Sequence, residues 1–312
     1  LPIPYRWTEH AIHILITGGT GFVGRPLTRY LLDRGHTVTT VGRSATHPCD
    51  GQPGFHHIAA DTTREGDWQN AAAHCQAVIN LAGTTIFRRW STTAKQDIRD
   101  SRILTTRHLV QAIAADQGAF LFSASGVGFY GDGGDQALTE DTAAGDDFLA
   151  RLSIDWEKEA MQAEARGVRV AIGRFGVILH QTGGALSKML LAFRMGVGGP
   201  LGNGRQWFPW IHLDDLMAAI EFLIGDTKAR GPFNFCAPEP VTNRQLARTL
   251  GRRLWRPSFF PAPAPLMRLV LGEFSEVLLG SQRTLPQRLQ DHGFVFRYPT
   301  IDTALKAIID AR

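Results

Sequence analysis

Two hydrophobic rhythms take turns along this chain: short solid apolar runs, and longer stretches apolar on one face only. "AIHILIT" is a short run closed by glycines, the pattern of a strand buried on both faces. "FVGRPLTRYLLDRG" then spaces its apolar residues at helical intervals and stops at Gly35, a suitable C-terminal cap. "HTVTTVG", "FHHIAAD" and "QAVINLAG" predict a second, third and fourth strand. The spacing predicts a helix over about 92–116, with Ile98, Ile103, Leu104, Leu109 and Ile113 on one face. "AFLFSAS" is the next strand, "DDFLARLSIDWEKEAMQAEARG" the next helix and "VRVAIGRFG" another strand. Strand and helix in alternation imply an α/β fold, a Rossmann-type doubly wound parallel sheet.

After about Phe175 the rhythm breaks. "GGALSKMLLAFRMGVGGPLGNGRQWFPW" is rich in glycine and aromatics, "IHLDDLMAAIEFLIGD" is a helix entered through His212 and Asp214, and "GPFNFCAPEPVT" is a strand with turn residues. His212 is placed to cap and brace this helix rather than to catalyse, and Asp214 also fits an N-cap. "NRQLARTLGRRL" is helical, and the proline-rich "RPSFFPAPAPLMRLVLGE" opens a last helical segment. The layout is a cofactor domain over 11–175, taking in about 208–236, and a smaller substrate lobe over 176–312.

Composition narrows the function. The chain has 312 residues, 44% of them apolar and 20% charged, as in an ordinary globular protein. A net charge of +4, with no basic run interleaved with aromatics, gives no reason to expect nucleic acid as a partner. The 3 cysteines are odd in number and far apart, which argues against a disulfide framework or a zinc site and fits a reducing, cytoplasmic setting. His56 and His57 alternate faces of a strand, a poor metal pair, so no metal is expected. No run of 18 apolar residues exists and "LPIPYRWTEH" lacks the signature of a secretory leader, so no membrane partner is expected either. The chain begins with Leu, and its native start is not fixed by the sequence.

The chemistry begins at "ITGGTGFVG". Gly18, Gly21 and Gly24 give G-x-x-G-x-x-G between a strand and a helix, and Gly19, Gly21 and Gly24 also satisfy G-x-G-x-x-G. Side chains at Gly18 or Gly19 would obstruct the turn, one at Gly21 would hold off a pyrophosphate, and one at Gly24 would push the helix from the strand. The loop therefore predicts a dinucleotide site, with Thr20, Phe22 and Val23 between the glycines and the helix N-terminus facing the phosphates. The second strand ends in Arg43 and Ser44 where an acidic residue would bind the ribose hydroxyls of NAD. A guanidinium there suits the 2′-phosphate of NADP(H).

"TGGTGFVG", "NLAG", "SASGVGFYG" and "WIHLDD", in this order, resemble the extended short-chain dehydrogenase/reductases. "NLAGTTIFRRW", "RDSRILTTR", "WEKEA", "GGPLGNGRQWFPWIHLDD" and "LPQRLQDHGFVFRYP" narrow the resemblance to the NAD-dependent epimerase/dehydratase family that carries a DUF1731 C-terminal region, here from about residue 255. The resemblance implies NADP(H) as cofactor, Asp61 facing the adenine, and Leu81, Ala82, Gly83 and Thr84 lining the cofactor. It also implies Arg88 or Arg89 near phosphates or substrate, and Ser123 and Ser125 beside the nicotinamide.

Catalytic members of that superfamily use a tyrosine for proton transfer and a lysine four residues later to lower its pKa and hold the ribose. This chain has Tyr5, Tyr30, Tyr130 and Tyr298, followed at that spacing by Glu9, Arg34, Gly134 and Asp302. The pair is absent. Alignment on Glu157 puts Leu149 at the tyrosine position and Ser153 at the lysine position. Ser125 and Tyr130 are the candidates left for handling a proton, with Arg151 a more distant one. Arg205, Trp207 and Trp210 would suit an anionic or planar small-molecule substrate. Two readings stay open: an atypical oxidoreductase or epimerase, or a catalytically silent NADPH sensor or partner-binding protein. A homodimer is left open as the assembly.

Overall fold

The computed structural model describes residues 11–114 and 119–310. The N-terminal stretch with Tyr5, and Asp116 at the expected end of the long helix, lie outside the described residues. β1 (His13–Thr17) leads through the glycine loop into α1 (Gly24–Leu32), and β2 (Thr37–Gly42) follows. β3 (Phe55–Ala59), the short α2 (Trp68–Ala72) and β4 (Ala77–Asn80) complete the first half of a sheet. The second half brings α3 (Thr92–Ala112), β5 (Phe120–Gly126), the two-residue β6 (Ala137–Leu138), α4 (Phe148–Met161) and β7 (Arg169–Phe175). Next come β8 (Val177–Leu179), α5 (Gly184–Arg194), β9 (Trp207–Phe208), β10 (Trp210–His212) and α6 (Leu213–Gly225). β11 (Gly231–Phe235), β12 (Val241–Thr242) and α7 (Asn243–Leu254) precede the last segment. That segment holds α8 (Ala264–Leu271), α9 (Phe274–Leu279), β13 (Arg283–Thr284), α10 (Gln287–Asp291) and α11 (Ile301–Asp310).

Seven strands form one parallel sheet in the order β11-β7-β5-β4-β1-β2-β3. The order reverses between β1 and β4, the switch point where open α/β sheets bind ligands beyond their C-terminal strand ends. One face is sealed by a cluster that joins Ile14, Ile16 and Phe122 to α1 and α6, the other by a cluster that joins Leu15, Val78 and Leu121 to α3. α6 is apolar nearly all round because it is buried on every side, Leu216, Ala219, Ile220 and Leu223 included. A third cluster around Leu186, Leu190, Leu246 and Leu305 is the core of the second lobe.

Of the two candidate caps at the helix entry, His212 is the N-cap and Asp214 is not: the Nδ1 of His212 accepts the Asp214 N–H at 3.0 Å. Asp214 lies inside the first turn. Asp215, next along, is buried and accepts the N–H groups of Arg297 and Tyr298 at 2.8 and 3.0 Å, which ties the C-terminal segment to α6.

The last segment is also sewn into the cofactor domain. β13 pairs in parallel with β6, Gly133 donates to the Ser281 carbonyl at 2.8 Å, and Gln282 Nε2 donates to the Val127 and Gly131 carbonyls at 3.0 and 2.8 Å. No helix among the described residues is long and apolar enough to cross a membrane.

Candidate functional site

The glycine loop is a cradle without room for side chains. Gly18 has φ +73°, and a Cβ there would meet the Leu81 carbonyl oxygen at 2.9 Å. A Cβ on Gly19 would strike the Thr40 side chain at 2.5 Å, and one on Gly24 would sit 2.2 Å from the Gly18 carbonyl oxygen. The loop is therefore pressed against β2, against the end of β4 and against the first turn of α1 at once. Gly21 is exposed, leaving backbone open to a ligand at the N-terminal end of α1. These residues fit a dinucleotide pyrophosphate. Thr20 lies over Gly42, and Val23 caps α1 and packs on the core. Phe22 turns the other way, into the glycine pair Gly183 and Gly184 that opens α5, so the cradle touches the second lobe directly.

Two histidines brace the cradle from behind. His47 Nδ1 accepts the Cys49 N–H at 3.1 Å, so its Nε2 carries the proton and donates to the Gly19 carbonyl at 3.1 Å. His57 Nε2 donates to the Ser44 carbonyl at 2.9 Å and its Nδ1 accepts the Thr40 hydroxyl at 2.7 Å. Burial keeps the pKa of His47 below its ordinary value and the ring neutral. Arg43 and Ser44 are thus held exposed at the end of β2. Asp61 accepts the hydroxyl and N–H of Thr63 at 2.7 and 3.0 Å; the Thr63 hydroxyl first, and the charges of Arg43 and Arg64 after it, hold its carboxyl below the usual range against the effect of burial.

Beyond β4, Leu81 donates to the Thr17 carbonyl at 3.1 Å and Thr84 donates to Ser101 Oγ at 3.0 Å, so residues 81–84 lie beside the glycine loop at the switch point. Asn80 fixes this corner from inside, accepting from Thr17 Oγ1 at 2.8 Å and donating to Thr106 and Ser123 at 2.8 and 3.3 Å. That bond corrects the expectation for Ser123. It is wholly buried three residues before the end of β5, with its hydroxyl in the sheet. Arg89 is exposed beside Gly272 at the turn between α8 and α9, where Phe87 and Trp90 also pack on Phe274, with ring centroids 5.4 and 5.7 Å apart.

At the ends of β5 and β7 the missing pair is replaced by a different construction. Leu149 packs on Gly128, and Ser153 is buried in α4. Ser125 Oγ donates to Glu157 Oε1 at 2.7 Å. Glu157 takes two parallel hydrogen bonds from Arg174, at 2.9 and 2.8 Å, and Arg174 is opposite Ser125 in the register of β7 on β5. Burial works against the charge of Arg174, but the hydrogen bonds and charge of Glu157 outweigh it and raise its pKa. The Arg174 guanidinium also lies 3.4 Å from the ring centre of Phe129.

Tyr130 belongs to the same network, and this corrects its expected role. It is buried, donates to Asn234 Oδ1 at 2.7 Å and accepts from Arg174 at 3.0 Å. Burial pushes its pKa up to about 12, against the pull of Arg174. A hydroxyl that both donates and accepts in this way braces β11 against β7. Behind it, Glu140 accepts the N–H groups of Asn234 and Arg288 at 2.8 and 3.3 Å, and burial raises its pKa. Arg151 is exposed.

The expected substrate trio is not brought together. Trp210 is 1% exposed in the core of the second lobe, which corrects its assignment to a pocket. Trp207 donates to Asp135 Oδ1 at 2.8 Å beneath the guanidinium of Arg283, and Arg205 is exposed on the preceding loop. Glu157, Arg174 and His47 were not singled out for the site from sequence. Arg174 had left a signal: an arginine near the end of the apolar run "VRVAIGRFG" needs a buried partner.

Comparison with known proteins agrees with this frame. Residues 14–236 match the NAD dependent epimerase/dehydratase family, and residues 262–308 match a domain of unknown function, DUF1731. The chain is 37% identical over 305 residues to the Arabidopsis thaliana protein described as "Epimerase family protein SDR39U1 homolog, chloroplastic", covering 96% of this chain and 88% of that one. It is 36% identical over 304 residues to "Epimerase family protein YfhF" of Bacillus subtilis, covering 96% and 99%. Its structure superposes with a TM-score of 0.84 and 35% identity on the crystal structure of human epimerase family protein SDR39U1 (isoform 2) with NADPH, covering 96% of this chain and all of that one. A glycine cradle at the switch point, a C-terminal segment stitched onto it, and relatives matched nearly end to end make this chain a member of the NAD-dependent epimerase/dehydratase family, of the SDR39U1- and YfhF-like kind that carries DUF1731.

Proposed function

We propose that this protein binds NADP(H) and oxidises, reduces or epimerises a small molecule at a secondary alcohol or carbonyl, with Ser125 and Glu157 handling the proton. The observation that carries this reading is the hydrogen bond from the buried Ser125 to Glu157, held by Arg174 at the C-terminal end of the sheet that also carries the glycine cradle. The cofactor would lie on the 18–24 loop and residues 81–84, with Arg43 and Ser44 toward the 2′-phosphate; bound, it supplies or accepts the hydride. Arg43 and the human relative's NADPH support the phosphorylated cofactor.

The protein's own part is positional and acid–base. Ser125 already donates to a carboxylate, so it can take a proton from a substrate hydroxyl while passing its own to Glu157. Arg174 keeps Glu157 aimed through two bonds. Leu149 removes the phenol and narrows the cleft with an apolar wall. Strict sugar-nucleotide epimerisation leans on the missing tyrosine and is the less favoured chemistry.

A second reading is carried by Leu149 and Ser153, which cannot titrate: a silent NADPH-binding protein. Titration with NADPH and NADH, followed by cofactor fluorescence, comes first. Tight NADPH binding that weakens in Arg43→Ala supports the frame; no binding of either at millimolar concentration rejects it. A carbonyl and alcohol screen then separates the readings. Turnover that vanishes in both Ser125→Ala and Glu157→Gln supports the enzyme, and turnover that survives both removes the assigned proton path.

A further inference from the structure

Burial pulls the pKa of two arginines, Arg102 and Arg169, down to about 10. Arg169 has an evident role: it donates to the carbonyls of Leu223, Ile224 and Ala229, at and just beyond the C-terminal end of α6, where the helix dipole favours a cation. Arg102 has no such site. It projects from the middle of α3, its Nη1 donates to the Thr84 and Ile98 carbonyls at 3.0 Å, and no carboxylate among the described residues pairs with it.

Its neighbours explain where the charge is directed. α3 and α4 meet along a seam in which Arg99 pairs with Asp155 at 2.8 Å and Arg107 with Glu159 at 3.0 Å. Between those pairs α4 offers Arg102 only the indole of Trp156, its ring centre 5.2 Å from the guanidinium carbon. On the other side, that carbon lies 3.1 Å, and Nη2 lies 3.2 Å, from where a Cβ on Gly83 would stand. Gly83 is exposed, so the absence of a side chain there leaves the guanidinium against the loop that flanks the cradle. A half-buried cation without a counter-charge is costly to hold unless a ligand completes it.

We propose that Arg102 is the cation that meets the sugar–phosphate oxygens of the bound dinucleotide at residues 81–84, replacing from α3 the charge that Ser153 no longer supplies from α4. This rests on the NADP(H) reading above. Ser153 is buried one turn before Trp156, on the same seam, so the two positions reach one region from neighbouring helices.

The test is NADPH binding by cofactor fluorescence, with thermal melting of each variant alongside. Arg102→Gln keeps amide donors for the Thr84 and Ile98 carbonyls but loses the charge, and is expected to bind NADPH about tenfold to a hundredfold more weakly. Arg102→Lys is expected to stay within a few-fold of the unaltered protein, and adding Ser153→Lys to Arg102→Gln to recover most of the loss. Unchanged binding in Arg102→Gln overturns the proposal. So does equal weakening in the Gln and Lys variants, which would mean that the arginine only shapes the loop. If Arg102→Gln does not fold, Ser153→Lys in the otherwise unaltered chain decides. Tighter NADPH binding upholds a seam facing the cofactor, and unchanged or weaker binding rejects it. Failure of the unaltered protein to bind NADPH is a separate result that removes the cofactor reading itself.

Discussion

At position 174 an arginine interrupts an apolar strand and is 4% exposed, with both its carboxylate bonds going to one residue. Removing one member of such a pair strands the other. Arg174→Met is expected to destabilise the fold by about 3–5 kcal/mol, read from urea midpoints, because Glu157 is left without its partner in a site with little water. Replacing both, as Arg174→Met with Glu157→Leu, is expected to return much of that loss. Gly24 makes the opposite kind of demand. Gly24→Ala would drive a methyl to 2.2 Å from the Gly18 carbonyl oxygen, so NADPH binding is expected to disappear while the far lobe stays folded. Gly24 could be read from spacing, since its own close contacts, Gly18 and Gly19, are local. Tyr130 could not: its partner Asn234 is 104 positions away, and only the sheet order makes them neighbours. Ser123 and Trp210 failed for the same reason, since a strand-end serine and a loop tryptophan look alike in sequence whether they face a cleft or a core.

Among the elements, the first turn of α6 concentrates opposing titrations. Burial lowers the pKa of His212 to about 4, and burial raises that of Asp215 to about 6. His212 contributes stability that is present above its unfolded pKa of 6.5 and lost as pH falls toward 4. Asp215 contributes stability that is present below 3.8 and lost as pH rises through 6. Over that window the two nearly cancel, each being worth roughly 3 kcal/mol. Asp215→Asn is therefore expected to lose more stability than the unaltered protein between pH 7 and 4.5, and His212→Gln to lose less. Urea denaturation of the three proteins at both values checks this; parallel losses would mean that neither group differs between folded and unfolded chains. The helix itself was legible from its apolar run. Its cap was legible only as a pair of candidates, His212 and Asp214; in the fold His212 takes it, with the Tyr298 ring 4.0 Å from its own, centroid to centroid.

For the whole molecule, the alternation of strands and helices gave away the doubly wound sheet, and the change of rhythm after Phe175 marked the second lobe. What no periodicity revealed is the lacing by the last segment, which ties residues 127–140 to 281–288. A chain ending before residue 262 would leave the N–H of Gly133 without its acceptor and Glu140 without one of its donors. Such a truncation is expected to melt well below the full chain and to lose NADPH affinity, as Tm and titration would show together.

That lacing bears on how such a protein can be taken apart. Residues 14–236 and 262–308 match separate family descriptions, yet the seam between them is hydrogen-bonded strand to strand rather than hinged. The two pieces should accordingly behave as halves of one object: each inert alone, and able to reconstitute a cofactor site when co-expressed. A reporter built by cutting the chain near residue 257 would light up only when both halves meet.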